Sequence, residues 1–174
     1  QSRWEHLLPS LKRIQQDNWD TPEPQDWITT LDRAVAASRK PVLLVGHSLG
    51  CITIAHWARQ HRHRAAGALL VAPADVERRT VAPALRRFAP IPTARLPFPS
   101  LVIASDNDRC CDPLRAAELA GLWGAELHFL HGTGHINADS GLGDWTEGLV
   151  LLNEWLRGVE SDRPRPWGNV RRVA

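Results

Sequence analysis

Apolar residues recur at spacings of three and four along the first stretch of the chain, at Trp4, Leu7, Leu8, Leu11 and Ile14. This predicts a first helix with one buried face, and Pro9 sits where it can delay the start. Asp20-Thr21-Pro22-Glu23-Pro24 breaks the chain, and a second stripe at Ile28, Leu31, Val35 and Ala36 predicts a helix ending near Ser38-Arg39-Lys40. After Pro41 the pattern changes. Residues 42–45, Val-Leu-Leu-Val, form a short, wholly apolar run, as expected of a parallel strand covered on both faces. The same alternation continues with a helix over 52–61, strands over 68–71 and 101–104, a helix over 115–123, a strand over 127–130 and a closing helix over 145–156. Strands that alternate with helices specify an α/β fold, a mainly parallel sheet with helices on both faces.

Two segments differ in composition. Residues 73–99 are rich in Pro, Arg and Ala, which predicts a short helix over 82–88 followed by an extended connection. A lid would sit here, and the segment is too short for a full lid domain. From Gly158 onward, Pro164, Pro166 and Gly168 predict a loosely ordered tail. The 174 residues thus divide into one domain over 1–157 and a tail over 158–174.

Charge adds little to this picture. The 21 Lys and Arg against 19 Asp and Glu are interspersed, so nothing points to nucleic acid or a membrane surface as partner. The cluster His61-Arg62-His63-Arg64 reads as a solvated helix end. No apolar run approaches the roughly 18–20 residues needed to cross a bilayer. Three cysteines, two of them the adjacent Cys110-Cys111, do not resemble a disulfide framework, and a reducing cytoplasmic location is expected. Without a CxxC or a histidine cluster, no metal or other cofactor is implied; Cys51, Cys110 and Cys111 read as packing residues. Most of the eight Trp fall in helical stripes and read as core.

The chemistry is concentrated in three places. Gly46-His47-Ser48-Leu49-Gly50 is a G-x-S-x-G placed between an apolar strand and a helix. A sharp turn there lifts the serine hydroxyl out of the sheet, glycines on both flanks leave room for it, and the helix N-terminus turns the Leu49 N–H toward a developing oxyanion. Ser48 is the candidate nucleophile, with Leu49 and His47 as candidate oxyanion or substrate-binding residues. A serine needs a base, and His135, in Gly132-Thr133-Gly134-His135 after the last strand, is the candidate; His131 is its rival. The acid that orients the histidine should follow an earlier strand. Asp108 in Ser105-Asp106-Asn107-Asp108 is preferred, with Asp106 as the alternative, while Asp112 before Pro113 reads as a helix N-cap. The order Ser, Asp, His is the one used by the α/β-hydrolase fold.

These motifs together, Leu44 through Cys51, Ala104 through Asp108, Trp123-Gly124-Ala125 and Gly134 through Gly141, resemble the small lidless α/β hydrolases of the YdeN-like family, relatives of the human retinoblastoma-binding serine hydrolase. The resemblance implies the same triad, Ser48, Asp108 and His135. Members of that family open with an apolar strand and a glycine-containing loop that supplies a second oxyanion amide. Gln1 stands after the point where both are expected to lie.

The expected activity is hydrolysis of a carboxylic ester or related small acyl compound through an acyl-Ser48 intermediate, with no cofactor. The alternative is a catalytically weak protein-binding module on the same fold. The ordered triad favours hydrolysis; the expected lack of that amino-terminal loop, and a family association with a protein partner, favour binding.

Overall fold

The computed structural model describes residues 2–60 and 65–162; the basic cluster His61-Arg62-His63-Arg64 and residues 163–174 lie outside it. The elements run α1 (Ser2–Leu7), α2 (Pro24–Ala36), β1 (Val42–His47), α3 (Leu49–Gln60), β2 (Ala65–Val71), α4 (Pro83–Arg86), β3 (Ser100–Ser105), α5 (Pro113–Trp123), β4 (Glu126–Leu130) and α6 (Thr146–Asp162). The strands form one sheet in the order β1-β2-β3-β4, every pair parallel. All four strands therefore end at the same edge, and the loops that leave them meet there.

Side chains on successive strand residues point to opposite faces, so each strand feeds two cores. Leu44, Ala68, Leu70, Val102 and Ala104 pack with Trp27, Leu31, Ile52, Trp57, Leu119 and Trp123 from α2, α3 and α5. Leu69, Val71, Leu101, Ile103 and Leu130 pack with Trp4, Leu152, Trp155 and Val159 from α1 and α6. This double burial is why the strands read as continuous apolar runs instead of alternating ones.

The first helix departs from the spacing pattern. It spans only Ser2–Leu7, and Leu8 N–H closes its last turn on the Trp4 carbonyl at 2.8 Å. Pro9 cannot donate the next helical hydrogen bond, so the chain leaves the helix instead of starting one. Beyond it, Leu11 packs toward the α1/α6 face and Ile14 toward the opposite core, two destinations that a single helix stripe cannot serve. Trp4 is fixed by stacking on Trp145, centroids 5.2 Å apart, and by its Nε1–H donating to the Asp144 carbonyl at 3.0 Å.

Residues 73–99 contain only the four-residue α4, and the rest is fastened to the core. Phe88, Ile91, Leu96 and Phe98 are buried. Trp123 Nε1–H donates to the Pro92 carbonyl at 2.7 Å, His56 Nε2–H to Phe88 at 2.8 Å, and Leu96 N–H to Trp123 at 2.9 Å. The segment forms a wall over α3 and α5, with no separate lid. At the other end α6 continues to Asp162, past Gly158, because Trp155 and Val159 are buried on its inner face.

Candidate active site

Ser48 is the single residue between β1 and α3, and its φ of 55° lies in the left-handed region, which a residue with a side chain adopts only under constraint. The constraint is visible. Ser48 N–H donates to the Val71 carbonyl at 3.0 Å, while the Ser48 carbonyl accepts from Cys51 at 3.0 Å and Ala74 at 3.4 Å. The elbow is thereby tied to its own helix and to the loop after β2. Gly46 makes the turn possible: a Cβ there would lie 2.8 Å from Ile54 Cδ1 and 2.9 Å from the Gly50 carbonyl carbon. Gly50 differs from the expectation, since a Cβ there meets nothing within 4 Å. Leu49 begins α3, so its N–H is among the donors that a helix start leaves unpaired.

His135 follows β4 on a turn whose neighbours Gly134 (φ 58°) and Ile136 (φ 47°) both lie in the left-handed region. Its Nε2 is 2.8 Å from Ser48 Oγ, and its Nδ1 is 2.8 Å from Asp108 Oδ2 and 3.1 Å from Oδ1. With the ring proton on Nδ1, the histidine donates to Asp108 and accepts from the serine hydroxyl. The Asp108 side chain is 3% exposed and its Oδ1 also accepts the Cys110 N–H at 2.7 Å.

The two rival residues pair with each other. His131 Nδ1–H donates to Asp106 Oδ2 at 2.8 Å at a site where the His131 side chain is 90% exposed. Asp106 Oδ1 accepts the Gly132 N–H at 2.8 Å, and this bond, followed by the one from His131, holds its carboxyl below the usual carboxylate range. Asp112 caps α5 by accepting the Leu114 N–H at 2.9 Å.

Three further residues shape the site in ways the sequence did not reveal. Ser105 Oγ–H donates to Asn107 Oδ1 at 2.8 Å; the same Oδ1 accepts Gly134 N–H at 2.7 Å, and Ser105 Oγ accepts Thr133 N–H at 3.2 Å. With Asp106, these side chains bind the backbone of the turn that carries His135. A run of Ser, Asp and Asn after a buried strand is the signal, since such side chains satisfy nearby backbone N–H groups. His47, read as an oxyanion or substrate contact, packs its ring against His135 and donates from Nε2 to the His135 carbonyl at 2.9 Å. Burial pushes its pKa down, favouring the neutral ring.

The cysteines divide by environment. Cys51 is fully buried, its thiol directed at the Val71 carbonyl, and burial pushes its pKa up. Cys111 is buried and pushed up to about 12 by desolvation. Cys110 is only half-buried; it lies beside Asp108 and His135, and one ligand atom from each of the three falls within 4.8 Å of the others.

No helix among the described residues is long and apolar enough to cross a membrane. The chain matches the family described as serine hydrolase over residues 1–154. It is similar to the structure of a YdeN-like hydrolase from Pectobacterium atrosepticum, with 34% identity, 88% of this chain and 80% of that one covered, and a TM-score of 0.78. The ydeN gene product of Bacillus subtilis aligns at 22% identity over 83% of this chain and 81% of its own, TM-score 0.66. A carboxylesterase structure from the thaumarchaeon Nitrososphaera gargenis shares the fold, with 16% identity, 93% and 86% covered, and a TM-score of 0.64. None of the curated proteins compared with the chain matches it. The parallel sheet, the strained serine turn and these likenesses agree: the chain belongs to the serine hydrolase family, as a YdeN-like small α/β hydrolase.

Proposed function

We propose that this protein cleaves a carboxylic ester or related small acyl substrate through an acyl-Ser48 intermediate. The supporting observation is the continuous relay in which Ser48 Oγ, His135 and Asp108 are joined by contacts of 2.8 Å on either side of one imidazole. As Oγ attacks the acyl carbon, its proton passes to His135 Nε2; Asp108 keeps the ring in the accepting tautomer and stabilises the imidazolium that forms. The Leu49 N–H, at the positive end of α3, binds the oxyanion. His135 then returns the proton to the leaving alcohol, and a water repeats the sequence to release the acid.

The test is intact mass before and after a fluorophosphonate probe, on the parent and on Ser48→Ala and His135→Ala. A single adduct that vanishes in Ser48→Ala and forms far more slowly in His135→Ala is the expected result. A folded parent that takes no adduct overturns the reading and favours a binding module.

A further inference from the structure

The proposed reaction leaves the side chain of Cys110 unused. Its backbone N–H bonds back to Asp108 Oδ1 at 2.7 Å, and this tight turn brings the thiol to the acid and base of the site. Ligand atoms of Asp108, Cys110 and His135 lie within 4.8 Å of one another, although 25 to 27 residues separate the histidine from the other two. Asp108 is buried while Cys110 and His135 are partly accessible, so the group is reachable from solvent. We propose that these three side chains form an inhibitory site for a thiophilic divalent cation of the zinc class.

The donor set is one sulfur, one imidazole nitrogen and one carboxylate oxygen, which suits zinc-like ions and disfavours magnesium or calcium. Zinc bonds of about 2.0–2.3 Å in a tetrahedral arrangement put such donors about 3.3–3.6 Å apart. That spacing lies between the 2.8 Å of the His135–Asp108 pair and the 4.8 Å outer limit of the group. The pair has to widen by less than about an ångström and the thiol to close in by up to about an ångström and a half, and water can take the fourth position.

Coordination also explains inhibition. His135 Nδ1 is the ring nitrogen that faces Asp108, and Nε2 faces Ser48. A cation on Nδ1 displaces the proton from that nitrogen, and the neutral ring carries it on Nε2 instead. The Cys110 thiol releases one proton to water as its thiolate binds, and no electrons move. An Nε2–H can donate to Ser48 but cannot accept its proton, so the nucleophile is disarmed. Binding itself is independent of the proposed hydrolytic function; only the inhibition rests on it.

Cobalt(II) alone, added to the purified protein, reads the site directly. A thiolate-to-cobalt charge-transfer band is expected in the parent, in Cys111→Ser and in Ser48→Ala, and should be absent in Cys110→Ser. In parallel, Zn²⁺ should slow fluorophosphonate labelling of the parent by about tenfold or more, as loss of a general base does, reversibly on chelation, with Mg²⁺ inert. Cys110→Ser, which retains its backbone bond to Asp108, should label at the parental rate without zinc and resist zinc. Absence of the cobalt band, or its survival in Cys110→Ser, overturns the site. A parent that does not label even without metal overturns the hydrolytic reading, while the cobalt band still decides the site.

Discussion

The ring of His47 holds the backbone of His135: its Nε2–H donates to the His135 carbonyl at 2.9 Å, and the two ring centroids are 4.9 Å apart. The residue before Ser48 thus holds the turn that carries His135, the base of the proposed reaction. His47→Asn keeps a donor on a shorter side chain, and His47→Phe keeps a ring without one. Fluorophosphonate labelling of His47→Phe should slow by about ten- to a hundredfold, since small misplacements of a reacting group cost that much. His47→Asn should recover part of the loss. Equal rates in parent and His47→Phe would show that the carbonyl contact is dispensable.

The same ring makes stability depend on pH. Burial lowers its folded-state pKa, outweighing the bond to the His135 carbonyl, with the neighbouring His135 lowering and Asp108 raising it further. The unfolded ring titrates near about 6.5 and therefore takes a proton first as the pH falls. The His47 contribution is thus complete above about pH 6.5 and is lost as the pH drops toward the folded value. Thermal midpoints measured from about pH 7.5 down to 5 should fall more steeply for the parent than for His47→Asn. Parallel profiles would assign the acid sensitivity to other groups.

The glycines of the elbow are unequal. A Cβ at Gly46 collides with Ile54 and with backbone at Gly50 and Cys51, whereas one at Gly50 meets open space. Gly46→Ala should cost about 1–3 kcal/mol in denaturant unfolding, as overpacking does, and should displace the serine turn. Gly50→Ala, within α3, should be neutral or stabilising by up to about 1 kcal/mol. Comparable losses in both variants would contradict the packing described.

Asp108 and Asp106 stand two residues apart but meet different histidines. Replacing Asp108 by Asn leaves the size intact yet no longer fixes the His135 tautomer, so serine reactivity should fall by up to about 10⁴-fold. Asp106→Asn loses the exposed pair with His131 but keeps an oxygen that can accept the Gly132 N–H, and labelling should change only severalfold. If Asp106→Asn proved the more damaging, the acid would have been misassigned.

The brace from Ser105, Asp106 and Asn107 to residues 131–134 lies beyond what the sequence makes legible. Strand β3 and the importance of its following loop were evident from the apolar run and from Asp108. That four consecutive side chains from Ser105 to Asp108 would all be spent on the turn carrying His135 was not evident, because hydrogen bonds across about 25 residues leave no periodicity to read. The first helix shows the opposite failure: helical spacing across Pro9 was accidental, and local chemistry overruled it.

By itself the sequence determined the alternation of strands and helices and the parallel sheet, and it singled out Ser48, Asp108 and His135 as candidates, because buried strands are short and apolar and the serine turn has a local motif. Tertiary structure decided which histidine meets which acid, what His47 supports and that Cys110 reaches the same place. Those relations arise only when parallel strands bring loops distant in the chain to one edge of the sheet, where distance in sequence no longer governs distance in space.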